Sequence, residues 1–527
     1  VEVNNIEIHE RLHDAVIVEA DTLVDVLEFG VFNGVKFKKE ELKPPEILNA
    51  KKLFYEIDDK GFIRTDAVKY KEFLEQENFM RVSIQDDDKI TVFKNSNKVV
   101  KPFNYKTNTA SFLKGKINEF DTTEIEKKLA NDNDKALKES FFLLTPVDFN
   151  YYRDTEDTFG LPFKNGFAQY SRKTGGIKIK PYKEVNGFFP EHQTQQKEFK
   201  LLSRDKIKPC EFERFLSMVS VSKDVLKDQL TKQEEETVSK FNRMFGYLIH
   251  AHKDLSKYPA IILSDHNADN VNRNGGRGKS VFGQAVQAVQ KTLIKEADRF
   301  DVGYLHQFND LDESHKVCFI DDVQPSFSIQ KLFSTIAGGI DIEDKGKKTR
   351  KIPFKKLAKF LISTNWFVPY NEKGDSEKRR QYEFKFTNYF NINHTPEDIF
   401  GHKLFEKWNN KEWNVFFNFC FKCVEDYMEY GLEKPIYDKE KDNFGTYFYN
   451  ETKLEEFERI FKQVTYNEYD GFSVRDFINE YDNASYAIKN ERFFNSNNMK
   501  KLINVYLEYN KIDYSYKTRE RRWYINQ

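Results

Sequence analysis

Asn274-Gly-Gly-Arg-Gly-Lys-Ser280 is the stretch of this 527-residue sequence that decides the fold. Its glycines let the backbone turn so that several N–H groups point at one anion. A short apolar run that contains a proline, Tyr258-Pro-Ala-Ile-Ile-Leu-Ser264, predicts a buried strand ahead of it, and helix-favouring sequence follows directly. Strand, glycine-rich loop and helix in this order predict a phosphate site at a helix N-terminus, where Lys279 reaches the β- and γ-phosphates and Ser280 ligates Mg²⁺.

The loop departs from the usual phosphate-binding pattern at its first position. The pattern G-x-x-x-x-G-K-[ST] would place glycine at 273, where this chain has Arg273. Gly275 and Gly276 can supply the flexibility instead, and Gly278 stands directly before the lysine. The alternative is a chance turn ahead of a surface helix, and the motifs further along the chain weaken it.

Two more apolar runs follow at intervals of about forty residues, and each ends in polar side chains. The run Val317-Cys-Phe-Ile320 is followed directly by Asp321 and Asp322. The run Phe360-Leu-Ile-Ser363 is followed by Thr364 and then Asn365. Ligands of open α/β sheets bind at the carboxyl ends of the strands. Asp321 is therefore a candidate magnesium ligand, Asp322 a candidate for polarising an attacking water, and Asn365 a candidate γ-phosphate or water contact. Each could instead begin an ordinary turn or loop, but their order and spacing favour function.

A basic hairpin is predicted between the last two runs. The alternating stretch Ile340-Asp-Ile-Glu343 leads into a glycine-centred turn, and Lys351-Ile-Pro-Phe354 returns. Its tip would carry a group of basic side chains, which are Lys345, Lys347, Lys348 and Arg350. A basic hairpin of this kind is typical of a segment that binds the phosphate backbone of a nucleic acid. The alternative is a solvated, lysine-rich turn without a ligand.

The set GGRGKS, VCFIDDV, LFSTIAGGIDIEDKGKKTRKIPF, FLISTNW and DSEKRRQYEF resembles the superfamily 3 helicases. It is most similar to the primase-helicases of large DNA viruses, phages and mobile plasmids. The resemblance implies an AAA+-like core that hydrolyses ATP with Mg²⁺ between the subunits of a ring hexamer and pulls single-stranded DNA through the pore. It implies that Arg379 or Arg380 is an arginine finger reaching a neighbour's ATP. It also implies that Lys345, Lys347 or Lys348 is the pore contact.

Two classes of function are compatible with these motifs. The first is an ATP-driven replicative DNA helicase of a phage, virus or mobile element, acting on fork or origin DNA with a primase or polymerase as a partner. The second is a DNA-binding initiator or assembly module with little unwinding. A variant of the first class is the helicase half of a primase-helicase. The sequence evidence for that variant could come only from the N-terminal region.

The expected fold is α/β, and its parts are predicted along the chain in six segments. They are an N-terminal accessory α+β domain at 1–135, a β-rich segment before the motor at 136–203, a helical collar at 204–257, an AAA+-like parallel-sheet P-loop core at 258–400, a helical linker at 401–450 and a winged helix at 451–527.

The C-terminal segment ends in a basic sequence. Three short helices and a terminal hairpin predict the winged helix, and Asn495 or Ser496 could cap its third helix. The basic side chains of the predicted wing, which alternate with Tyr516 and Trp523, are Lys517, Arg519, Arg521 and Arg522. They predict DNA binding, and docking to another protein is the alternative.

Composition sets limits on the remaining possibilities. The net charge of −1 excludes a globally basic coat, so contacts to nucleic acid must come from local patches. No run of eighteen apolar residues and no signal peptide occur, so we expect a cytoplasmic protein without a membrane span. Cys420 and Cys423 stand in an amphipathic helix, which favours buried thiols over a zinc site.

The N-terminal region carries one weak catalytic signal. A strand, a turn at Asp59-Lys-Gly61, a second strand and a helix are predicted here, and Glu56 and Asp58 would share one strand face. Paired carboxylates could hold the metals of a primase, but no further acidic or histidine motif follows at recognisable spacing. An accessory or DNA-docking domain is the favoured interpretation.

Overall fold

The computed structural model describes residues 8–12, 15–18, 54–57, 59, 63–82, 91–117, 135–203, 208–265, 275–296, 307–324, 327, 332–342, 349–365, 380–435, 448, 451–465, 471–484 and 496–526. The chain divides into two units, one of Val1–Glu77 with Ala110–Leu144 and one of Asn78–Thr109 with Thr145–Gln527. This grouping differs from the predicted N-terminal domain of residues 1–135, because strands within 78–109 hydrogen-bond to strands beyond residue 145.

The first unit contains short strand pairs and helices. The antiparallel pairs are β1 (Ile8–Leu12) with β2 (Ala15–Val18) and β3 (Glu56–Ile57) with β4 (Ile63–Arg64). The helices are α1 (Ala67–Gln76), α2 (Tyr105–Ile117), of which residues 110–117 belong here, and α3 (Lys135–Leu143). The two strands and the helix predicted around Asp59 are therefore confirmed, and Lys60 and Gly61 of the predicted turn lie outside the described residues. Asp66 caps α1 by accepting from the amides of Val68 and Lys69 at 2.8 and 2.9 Å.

The second unit opens with two sheets. Their strands are β5 (Phe79–Val82), β6 (Thr91–Ser96), β7 (Val99–Phe103), β8 (Pro146–Val147), β9 (Thr158–Phe163), β10 (Gly166–Ser171), β11 (Ile177–Lys180) and β12 (Phe189–Pro190). One sheet has the order β12-β7-β6-β5-β8 and the other β11-β10-β9. A turn at Asn165 joins β9 to β10, and Gly166 adopts a φ of +133° that favours glycine.

A five-stranded parallel sheet lies in residues 258–400. The strands of this segment are β13 (Ala260–Asp265), β14 (Thr292–Glu296), β15 (Val317–Asp321), β16 (Gly339–Ile342), β17 (Arg350–Pro353), β18 (Lys359–Ser363) and β19 (Gln381–Phe386). The parallel sheet has the order β14-β15-β18-β13-β19, and β16 pairs with β17 as the predicted hairpin. The strands expected after Tyr258, at Val317 and at Phe360 are thus confirmed.

Helices cover this sheet and extend beyond it. They are α4 (Glu211–Val221), α5 (Lys232–Ile249), α6 (Lys279–Val289), α7 (Phe333–Gly338), α8 (Pro396–Phe400) and α9 (Asn410–Tyr430). Ile261 and Leu263 of β13 pack into a core shared with α4, α5, α6 and α9. Ala260 and Ile262 face the opposite core, which includes Ile352 of the hairpin. Burial of both faces explains why these strands read as continuous apolar runs.

The amino edge of the parallel sheet buries cationic side chains. Lys359, the first residue of β18, donates to the carbonyls of Tyr247 and His250 at 2.6 Å each, at the C-terminal end of α5. A cation is favourable there, because the last carbonyls of a helix carry partial negative charge. Burial nevertheless lowers the pKa of Lys359 well below its usual value. Arg153 reaches the same region and donates to the carbonyl of Lys356.

All four cysteines are buried, as predicted for the pair in α9. Cys420 and Cys423 lie on the inner face of α9, Cys210 caps α4 and Cys318 lies in β15. Burial raises the pKa of each thiol, and that of Cys318 rises to about 12. In the described part of the chain no group of three or more His, Cys, Asp or Glu side chains is arranged to hold a metal ion.

The C-terminal segment contains three helices and a small sheet. Its elements are α10 (Glu451–Thr465), β20 (Phe472–Ser473), α11 (Val474–Ala484), α12 (Ser496–Tyr509), β21 (Tyr514–Lys517) and β22 (Arg522–Ile525), with the sheet order β20-β22-β21. Trp523, which we expected among the basic side chains of the wing, is fully buried instead. Its indole N–H donates to Asn504 at 2.8 Å, so it stabilises the core of this segment.

Candidate functional site

The glycine-rich loop leads directly into α6, and the first amides of that helix have no side-chain cap. Gly278 is the N-cap residue with a φ of +95°, and Gly276 has a φ of +88°. A side chain at Gly278 would also place a Cβ 2.7 Å from the ring of Phe215. The N-terminal amides of a helix need acceptors. Ser280, on the first turn, is exposed, and Gly275 is exposed before it.

Arg277 fixes this loop to the segment after β19. Its side chain is 8% exposed, and Nη1 donates to the carbonyl of Phe390 at 2.9 Å. The Phe390 ring stacks on Phe215 of α4, with ring centroids 5.5 Å apart. The loop is therefore positioned by contacts to two other parts of the core.

Lys279 is buried at the carboxyl edge of the parallel sheet. Its ammonium forms an ion pair with Asp265, the last residue of β13, and donates to Asn365 Oδ1 at 2.7 Å. Burial lowers the pKa of Lys279, and the charge of Asp265 opposes that change. A lysine, an aspartate and an asparagine that are far apart in sequence thus meet where β13 and β18 end.

The two consecutive acids join the same cluster. Asn365 Nδ2 donates to Asp322 Oδ1 at 2.9 Å, and the amide of Asp322 donates to Ser363 Oγ at 2.8 Å. The Ser363 hydroxyl in turn donates to Asp321. Asp322, directly after β15, has a φ of +56°, in the left-handed region that residues other than glycine seldom adopt. Partial desolvation and the neighbouring charge of Asp321 raise the pKa of Asp322.

The residues predicted from the three apolar runs therefore lie together. Lys279, Asp321, Asp322 and Asn365 are connected by the hydrogen bonds and ion pair given above. Sequence reasoning missed Asp265 and Ser363, which complete the connections. Asp265 ends the apolar run before the loop, in the same way that Asp321 ends its own strand, and that parallel is the signal that could have indicated it.

Arg380 lies at the amino ends of the parallel strands, whereas Lys279 lies at their carboxyl ends. Arg380 directly precedes β19, whose first residue Gln381 is in register with Ala260 at the start of β13. Its guanidinium lies over the ring of Phe333 at 5.4 Å from the centroid. Arg379 lies outside the described residues.

Of the four basic side chains predicted at the hairpin tip, Arg350 is the one that the structure describes. Arg350 was expected at the tip but belongs to β17, opposite Ile342, and its guanidinium donates to the carbonyl of Asn309 at 2.7 Å. This contact anchors the strand pair at the end nearer the turn. Lys345, Lys347 and Lys348 lie outside the described residues.

The basic side chains near the C-terminus also divide into two kinds. Lys517, Arg519 and Arg521 are exposed around the turn between β21 and β22. Arg522 instead pairs with Asp476 of α11 at 2.9 Å, which ties the hairpin to the helices.

Of the two N-terminal carboxylates, Glu56 lies in β3, and Asp58 lies outside the described residues.

A protein-family profile described as a family of unknown function (DUF5906) matches residues 271–380, which contain Lys279, Asp321, Asp322 and Asn365. No curated protein matches the sequence. One similar solved structure is the A form apo structure of the NrS-1 C-terminal region, with 11% sequence identity, coverage of 84% of this chain and 86% of that chain, and a TM-score of 0.35. None of the described helices is both long enough and apolar enough to cross a bilayer.

Proposed function

We propose that residues 258–400 form an ATP hydrolase of the superfamily 3, AAA+-like type and that the protein is a replicative DNA helicase. The observation that carries this proposal is the connected group of Lys279, Asn365, Asp322 and Asp321 at the carboxyl edge of a parallel sheet. The group stands beside a helix N-terminus with no side-chain cap. In this arrangement a cation, uncapped amides and carboxylates converge on one edge, as phosphoryl transfer requires.

The described residues have the chemistry to bind a nucleoside triphosphate with Mg²⁺. The uncapped amides at the start of α6 and the ammonium of Lys279 would hold the phosphates. Mg²⁺, which keeps several waters and takes few protein ligands, would be held by Ser280 and Asp321 together with phosphate oxygens. When bound there, the metal would supply positive charge beside the transferred phosphoryl group.

Asp322 and Asn365 would act on the attacking water. Asp322 must be ionised to accept a hydrogen bond from that water, and its raised pKa makes it a better acceptor than an ordinary surface carboxylate. The Asn365 amide contacts both Asp322 and Lys279. It is therefore placed to sense whether the phosphate contacted by Lys279 is present.

The position of Arg380 limits how it could act in catalysis. Its strand β19 is six residues long, so Arg380 and the carboxyl edge are separated by about 17 Å or more at roughly 3.3 Å per residue. A guanidinium at that distance cannot reach a nucleotide bound by its own Lys279. A role as an arginine finger therefore requires a neighbouring subunit.

A DNA-binding initiator with little unwinding is the second candidate. The exposed Lys517, Arg519 and Arg521 favour it, because they follow three helices in the order expected of a winged helix that binds duplex DNA. Under the first candidate, the hairpin lysines grip single-stranded DNA and couple it to hydrolysis.

One experiment separates these two functions. ATP hydrolysis is measured with and without single-stranded DNA for the wild type and for a variant with Lys345, Lys347 and Lys348 all changed to Ala. For a helicase, we expect stimulation by single-stranded DNA in the wild type, and its loss together with unwinding in the triple variant, while basal hydrolysis remains. A variant with the exposed Lys517, Arg519 and Arg521 all changed to Ala is the matched control, and it should weaken duplex binding and leave the stimulation intact. Unwinding by the triple variant at the wild-type rate would contradict the role of the hairpin.

A further inference from the structure

Asp265 is a buried acid for which the hydrolysis mechanism has no use. It ends β13 with 4% of its surface exposed, and its carboxylate is ion-paired with Lys279. In the proposed function the same ammonium binds phosphate. Asp265 and a triphosphate therefore compete for one cation.

The competition follows from charge and burial. An ammonium has three donors, and Lys279 directs two of them to Asp265 and Asn365. A triphosphate that approaches Lys279 brings several negative charges close to Asp265, and repulsion between like charges is strong in a partly desolvated site. Either the ion pair opens, or it persists against this repulsion. Both outcomes make the free energy of triphosphate binding less favourable.

We propose that Asp265 is the counter-ion that occupies Lys279 between nucleotide-binding events and so lowers the affinity of the site for triphosphate. This inference rests on the proposed function. Asp265 acts through Lys279 and is a positioning residue for the nucleotide. Its removal should strengthen binding, whereas loss of a purely structural side chain would weaken it.

The test measures the Kd of Mg-ATP and, separately, of tripolyphosphate alone. We expect Asp265→Asn to lower both values by roughly tenfold, because binding no longer has to break the ion pair. Glu383→Gln is the matched control. Glu383 lies on the neighbouring strand β19 and its carboxylate accepts from Ser264, so this change should leave both Kd values unaltered.

The outcomes distinguish this inference from the proposed function. Unchanged or weaker binding by Asp265→Asn, while the wild type binds ATP, overturns the role of Asp265 and leaves the hydrolase proposal in place. A wild-type protein that binds neither ATP nor tripolyphosphate overturns the hydrolase proposal, and the inference falls with it.

A second measurement covers the case in which Asp265→Asn folds poorly. Denaturant unfolding of the wild type, Asp265→Asn, Lys279→Met and the double variant gives a double-mutant cycle. We expect the effect of Asp265→Asn to shrink when Lys279 is already absent, since the two side chains are paired. Strictly additive effects would show that the ion pair does not form and would overturn the inference.

Discussion

Two buried lysines at opposite edges of the same parallel sheet are held in different ways. Lys359 at the amino edge donates to backbone carbonyls at the end of α5, which cannot turn away. Lys279 at the carboxyl edge is held by the side chains of Asp265 and Asn365, which can rotate. The difference indicates that the amino edge maintains the fold, whereas the carboxyl edge can exchange the partners of its charges.

The largest effect expected from this contrast is that of Lys279→Ala. Turnover of ATP should fall below detection, because the variant lacks the lysine that we expect to contact the β- and γ-phosphates. Steady-state phosphate release measures it, and circular dichroism confirms that the variant is folded. Lys295→Ala is the control, since Lys295 pairs with Asp310 at 2.8 Å and should be dispensable. Equal turnover in wild type and Lys279→Ala would remove the distinction between the two edges.

Arg380→Ala tests whether a residue at the amino edge of the sheet contributes to catalysis. We expect a loss of turnover of about 10³-fold with nucleotide binding retained, because an arginine finger stabilises the transition state in a neighbour's site. Mixing this variant with Lys279→Ala should restore part of the activity, since some interfaces then contain both intact residues. Full activity of Arg380→Ala on its own would leave the amino edge purely structural.

Asp322→Asn sharpens the description of the carboxyl edge. Turnover should fall by roughly 10²-fold while ATP still binds, because the variant loses the acceptor for the attacking water but retains Lys279. Single-turnover rates at saturating ATP measure the loss. A rate equal to that of the wild type would contradict the role of Asp322.

Lys359→Met has the smallest expected effect and tests the amino edge alone. The carbonyls of Tyr247 and His250 would lose their donor, so the free energy of unfolding should fall by about 2 kcal/mol. Turnover per folded molecule should not change. Denaturant unfolding gives the stability, and a loss of hydrolysis without a loss of stability would show that the two edges are coupled.

The strands and loop of the core were predictable because burial on both faces leaves continuous apolar runs between polar ends. Val317-Cys-Phe-Ile320 is one example, and β15 begins at the predicted residue. The meeting of Lys279 with Asn365 was predictable too, since parallel strands bring their carboxyl ends to one edge.

The partners of individual charges were not predictable in this way. The basic run predicts Arg350 at the hairpin tip, but the carbonyl that its guanidinium meets depends on the packing of the segment at Asn309. Local sequence likewise predicts Trp523 and Arg522 in a basic wing, although Trp523 is buried and Arg522 is paired with Asp476. Local composition cannot distinguish a basic side chain that faces solvent from one that closes a contact within the fold.

The buried cysteines have a practical consequence for observing the protein at work. A thiol reacts as its thiolate, so four inaccessible thiols with raised pKa should resist maleimide and similar reagents. A single cysteine introduced at an exposed position, such as Arg519→Cys, should then accept a fluorophore selectively without removal of any native cysteine. Labelled protomers made in this way would allow subunit exchange and motion of the C-terminal segment to be followed by energy transfer while nucleotide is consumed.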